Sequence, residues 1–150
     1  MEIRRATIED IDMLIHNRIE FVKTFKPLKN EEEFTKTTYD YMSKHLISGN
    51  LLAIVAIEDN QLVSNAILTI YETLPRPSAQ KGKCGLLLNV NTKEEYRRKN
   101  IATQVLNMLI EEATKLGVGR ITLDYTSYSY ELYKKLGFVE LNKEMCLNIN

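Results

Sequence analysis

Asn89-Val90-Asn91-Thr92-Lys93-Glu94-Glu95-Tyr96-Arg97-Arg98-Lys99-Asn100-Ile101-Ala102 runs from the end of an apolar strand, through a turn with three consecutive cations, into the start of a helix. A tight turn entering a helix leaves several amides unpaired, and the helix dipole adds partial positive charge there. Arg97, Arg98 and Lys99 strengthen that field, so the segment has the chemistry of a diphosphate pocket. Its spacing is neither the Gly-Lys-Ser/Thr ending of a Walker loop nor the Gly-x-Gly-x-x-Gly of a dinucleotide site. Taken alone, the tripeptide is better read as a basic helix cap with solvated charge. The flanking elements have to decide.

Upstream, Cys84 to Thr92 reads as a central strand, because Leu86, Leu87, Leu88 and Val90 leave little room for a wet face. Downstream, Ile101 to Leu116 is a helix whose inner face carries Ile101, Val105, Met108 or Leu109, Ala113 and Leu116, and Gly117 ends it. Arg120 to Tyr125 is the next strand, Ser129 to Leu136 a short helix closed by Gly137, and 138–148 a final hairpin about Asn142-Lys143. Further upstream, Leu51 to Ile57 and Gln61 to Tyr71 form a hairpin about Glu58-Asp59-Asn60. Glu72 to Lys83, with Pro75, Pro77, Ser78 and Gly82, is a long loop, either a lid or simply mobile.

The N-terminal third supplies an edge strand over Glu2 to Ala6 and a capping box of Thr7 with Asp10. Ile8, Ile11, Ile15, Ile19 and Val22 mark the buried face of a first helix. A second helix starts near Asn30, with Glu31, Glu32 and Glu33 in the turn where the dipole favours acids. Phe34, Thr38, Tyr41 or Met42, and His45 form its stripe, and Gly49 supplies its stop. The order is β-α-α-β-β-β-α-β-α-β-β, an α/β fold read as one domain over residues 1–150.

Composition excludes more than it selects. A hydrophobic fraction of 44% and a charged fraction of 27% are ordinary for a globular chain, and the formal net charge is zero. Nothing in that balance favours nucleic acid or an anionic membrane as partner. Cys84 and Cys146 form no Cys-x-x-Cys or Cys/His cluster, so neither a disulfide framework nor a metal site is expected, and a cytoplasmic location fits. The N-terminus leads into alternating charge with no apolar run of signal-peptide or membrane-spanning length.

Three pieces in order carry a resemblance. Arg97-Arg98-Lys99-Asn100-Ile101-Ala102 is similar to the coenzyme A diphosphate loop, Arg/Gln-x-x-Gly-x-Gly/Ala, of the GCN5-related N-acetyltransferase (GNAT) superfamily. Gly117 to Asp124 matches the strand after that family's coenzyme-binding helix, and Tyr130-Glu131-Leu132-Tyr133-Lys134-Lys135-Leu136-Gly137-Phe138 resembles its Leu-Tyr-x-x-x-Gly-Phe motif. Asn100 departs from the pattern where glycine is usual. Asparagine is the side-chain-bearing residue that best tolerates left-handed geometry, so the turn is expected to survive.

The resemblance implies a mixed, mostly antiparallel central sheet with helices on both faces, and transfer of an acetyl group from acetyl-CoA to an amine by direct attack. It puts Val90, Thr92, Arg97, Arg98, Lys99, Asn100, Ile101, Ala102, Thr103 and Thr126 against the coenzyme. A backbone amide near Val90 would polarise the thioester carbonyl. It makes Tyr133 the general acid to the departing thiolate; the bland alternative is a core tyrosine on a short helix. Glu72 and Asp124 are the candidate bases, each equally readable as a structural carboxylate. Acceptor contacts are expected from the first two helices and their connection, with Asn17, Arg18 and Glu20 within reach of a polar small-molecule or peptide amine. Relatives pair through strands or the C-terminal hairpin, which allows a homodimer. The competing function is a non-catalytic acyl-CoA sensor of the same fold.

Overall fold

The Thr7 hydroxyl accepts from the Glu9 amide and the Asp10 carboxylate accepts from the Thr7 amide at 2.8 Å, so the expected capping box forms. Asp10 also takes a two-pronged ion pair from Arg4, at 2.8 and 2.9 Å, which ties strand β1 (Glu2–Arg5) to the first helix. The computed structural model describes residues 1–141 and 143–149. Helix α1 (Ile11–Lys23) buries Ile11, Leu14, Ile15 and Ile19. Ile8 sits in the preceding short turn and is exposed, and Leu14 takes the place expected for it on the buried face. Helix α2 (Glu31–Ser48) is capped by the Asn30 side chain and ends at Gly49, whose φ of 85° is the left-handed value that glycine adopts without strain. Of its expected stripe only Met42 is fully buried; Tyr41 is exposed.

Strands β2 (Leu51–Glu58) and β3 (Gln61–Glu72) are joined through Asp59 and Asn60, both at positive φ, as a two-residue hairpin requires. The chain returns as β4 (Lys83–Thr92), and β5 (Arg120–Thr122) adds alongside it. The sheet runs β1-β2-β3-β4-β5, antiparallel throughout except for β4 and β5. Alternation along the strands sends Leu52, Ile54 and Ala56 to one core with helices α3 (Ile101–Lys115) and α4 (Tyr130–Lys135). Leu51, Ala53 and Val55 go to the other core, with α1 and α2. This is the expected mixed sheet with helices on both faces.

Two expectations change. Strand β5 pairs only over Cys84–Arg120, Gly85–Ile121 and Leu86–Thr122 and stops three residues short of Tyr125. Of the hairpin expected over 138–148, the described residues carry no strand, and Asn142 of its turn lies outside them. The two facts are connected: a three-residue β5 offers almost no ladder for another strand to join. The segment 72–83, expected as a long loop, is hydrogen-bonded within itself. The Thr73 amide donates to the Gly82 carbonyl at 2.7 Å, and Arg76 and Ala79 exchange both backbone bonds, so it folds as a compact extension of the β3–β4 hairpin.

Candidate active site

The β3–β4 ladder is regular from Glu72–Lys83 to Ile67–Leu88 and resumes at Asn65–Asn91, with one extra residue on β4. Asn89 takes this bulge at φ 58°, a conformation asparagine reaches at lower cost than other side chains. Beyond Leu86 the other edge of β4 has no strand partner among the described residues, because β5 has diverged. Bulge and open edge coincide. The backbone from Leu87 to Thr92 is therefore placed to take an extended ligand alongside it.

At the end of that edge the chain turns through residues 93–100 into α3. Arg98 and Asn100 both adopt left-handed geometry, with φ of 61° and 63°. Asparagine at 100 thus does what glycine would do at the same place. No amide from Arg98 to Thr103 donates to a protein acceptor among the described residues. The Arg97 guanidinium is held to the Thr92 carbonyl at 3.0 Å, and the Lys99 ammonium lies over the Tyr96 ring at 5.4 Å. Ile101 is buried in the α3 core, so only its amide faces the turn, and Ala102 and Thr103 are half-buried beside it. Unspent amides, a helix dipole and fixed cations fit the diphosphate of coenzyme A.

A polar cluster lies under the bulge on the α1 face, built from asparagines that were not singled out as a group by the sequence. Asn89 Nδ2 donates at 2.9 Å to both Asn17 Oδ1 and Asn65 Oδ1. Asn65 Nδ2 donates to Asn17 Oδ1 at 2.9 Å, and Asn17 and Asn91 exchange amide bonds at 3.0 Å. Asn65 and Asn89 are buried. The cluster pins the bulge to α1 and satisfies itself. Its signal in the sequence is asparagine within apolar strands, where that residue is depleted.

Tyr133 is buried, stacked edge-on against Phe138, and burial pushes its phenol up to about 12. With Tyr130, Asp124 and Tyr125 it lines a cavity of about 890 Å³ between β5, α4, residues 138–141 and Glu144. Asp124 is exposed, two residues beyond the end of β5. Thr126 exchanges bonds with Ser129 at the start of α4, the hydroxyls being 3.1 Å apart. Glu72 is exposed at the end of β3, opposite Lys83. Seven residues of strand separate it from Asn65, roughly 23 Å at ordinary strand rise. The fold thus brings Val90, Thr92 and residues 97–103 to one edge and leaves Glu72 at the far end of the sheet.

The sequence profile of the Acetyltransferase (GNAT) family matches residues 17–138. The chain belongs to that family. Among solved structures, a predicted acetyltransferase with acetyl-CoA from Clostridium acetobutylicum is similar to this GNAT protein at a TM-score of 0.89 and 26% identity, over 99% of this chain and 96% of that one. A GCN5-related N-acetyltransferase from Ralstonia eutropha JMP134 shares the fold at a TM-score of 0.86 and 22% identity, covering 99% and 97%. Glucosamine-6-phosphate N-acetyltransferase from Arabidopsis thaliana does so at 0.70 and 16%, covering 100% of both. No curated protein matches the sequence. No helix among the described residues of this GNAT protein is long and apolar enough to cross a membrane.

Proposed function

We propose that this GNAT domain transfers an acetyl group from acetyl-CoA to the amine of a small molecule or peptide. The observation that carries the reading is the coincidence of the Asn89 bulge, the open β4 edge and the unspent amides of residues 98–103. Acetyl-CoA supplies an activated thioester. Arg98, Lys99 and the amides up to Thr103 hold its diphosphate, and the edge from Leu87 to Thr92 aligns its extended arm. The Val90 amide, next to the bulge, polarises the carbonyl as the amine attacks.

Tyr133 then gives its proton to the sulfur that leaves. Burial keeps the phenol protonated through neutral pH, which a general acid requires. Asp124 is the better placed of the two candidate bases, since Glu72 stands at the other end of the sheet. The two thiols, Cys84 and Cys146, are both free and suit a reducing cytoplasm.

Isothermal titration with acetyl-CoA, with ATP and NAD as controls, tests the cosubstrate, and thiol release with a panel of amines tests turnover. Tyr133→Phe is expected to keep acetyl-CoA affinity and to lower kcat by ~10²–10⁴-fold. Binding without turnover by the wild type on any amine would favour the acyl-CoA sensor. An unchanged kcat in the variant would remove Tyr133 from the mechanism.

A further inference from the structure

Arg18 leaves α1 between the buried Ile15 and Ile19 and is itself half-buried. Its one protein partner among the described residues is Asn89 Oδ1, at a long 3.4 Å from Nη1. A guanidinium carries five N–H donors in a fixed fork, so most of its capacity is unspent. Of the two other partly shielded arginines, Arg4 has a carboxylate at 2.8 Å and Arg120 reaches the Ser78 hydroxyl at 3.4 Å, but Arg18 is the one whose pKa burial pulls down. No carboxylate lies within 4.0 Å of Arg18 among the described residues, and no opposing charge offsets the burial that lowers its pKa.

A desolvated cation without a counterion costs stability unless a ligand supplies the missing charge. The amide cluster beside it cannot, because its oxygens and nitrogens bond one another. Nor is the coenzyme's diphosphate the natural partner. Its loop opens onto α3, which packs on the face of the sheet opposite α1. What remains is the molecule that enters from the α1 side, beside the bulge. We infer that the acceptor is an amine that also bears a carboxylate, and that Arg18 binds this carboxylate over the Asn89 bulge. The inference rests on the acetyltransferase reading for the word acceptor, though not for the anion site. One guanidinium among neutral amides balances one negative charge; a phosphate dianion would leave an excess in a half-buried place.

The test has two arms. In the first, ¹⁵N-labelled protein, both alone and with coenzyme A added, is titrated with acetate, glycine, glycinamide and inorganic phosphate. The side-chain Nε–H resonance of Arg18 is identified by its loss in Arg18→Gln. A saturable shift with acetate and glycine, absent with glycinamide, is expected. No saturable shift, or one with phosphate alone, overturns the inference.

The second arm compares amino acids with their amides as acceptors in thiol release. Arg18→Gln is expected to raise KM for the acids ~10–100-fold, with kcat within about threefold, and to erase the preference over the amides. Arg18→Lys restores part of it, having charge without the fork. The melting temperature of Arg18→Gln stays level or rises, whereas a structural arginine would lower it. Equal use of acids and amides by the wild type overturns the inference. A failure of acetyl-CoA to bind would instead overturn the transfer reading, while the first arm still reports on Arg18.

Discussion

Asn100 shows how a single side chain can satisfy a rule written for another. Its φ of 63° lies where most residues pay roughly 1–2 kcal/mol. Asn100→Gly is therefore expected to leave acetyl-CoA affinity within about threefold of the wild type. Asn100→Val, whose branched Cβ resists that geometry, should weaken it at least ~10-fold as the turn opens. Isothermal titration of both variants decides the matter; equal affinities would mean that backbone geometry at this position does not shape the diphosphate site. Tyr133 makes a second prediction at the same scale. Its pKa is raised by burial to about 12, so the phenol carries its proton across the accessible pH range. If it is the general acid, the kcat profile has no alkaline limb from this residue up to pH ~10, where an unperturbed tyrosine would already be half ionised. A limb near 10 that vanishes in Tyr133→Phe would show a solvated phenol instead.

Elements are coupled to one another by a few buried polar contacts, and the Arg4–Asp10 pair is the clearest. Its carboxylate is held below the usual range, first by the hydrogen bonds from Arg4 and then by the Thr7 amide. A carboxylate depressed in the folded state contributes stability that is present above its unfolded pKa and is lost as pH falls through the folded one. Asp10→Asn is expected to cost about 1–3 kcal/mol near neutral pH, and the gap from the wild type should close under acid. Urea unfolding at pH 7 and near pH 3 measures both. Gly85 in β4 sets a limit of another kind. A Cβ there would lie 2.7 Å from Leu68 Cδ1 in the α3 core, so Gly85→Ala should destabilise by about 1–3 kcal/mol.

Most of these elements were legible in the sequence because each carries a local signal: a cap at Asn30, a left-handed stop at Gly49, apolar periodicity from Ile101 to Ala113. What escaped it depends on partners distant in the chain. How far β5 runs is set by where it leaves β4, and the Asn17–Asn65–Asn89–Asn91 cluster joins residues up to 74 positions apart. No local pattern around Arg18 foretells a guanidinium left without a carboxylate.

On the proposed reading the whole molecule divides its work by the two faces of one sheet: Arg97, Arg98 and Lys99 serve the coenzyme at the α3 end of β4, while Asn17 and Arg18 face the bulge from α1. The chain as a whole is electrically neutral, so these are local fields and not the edge of a general one. Exposed cations on the diphosphate turn are screened by salt, whereas a half-buried guanidinium is screened much less. Raising ionic strength should therefore raise KM for acetyl-CoA more than KM for the acceptor. The division also predicts independence between the two sets of residues. Arg98→Ala should act on acetyl-CoA affinity alone and Arg18→Gln on the acceptor alone, and their effects on kcat/KM should add to within about 0.5 kcal/mol in the double variant. A double-mutant cycle measures that coupling directly. An interaction energy well beyond that bound would mean that both arginines bind one ligand, and that the faces of the sheet are not separate sites.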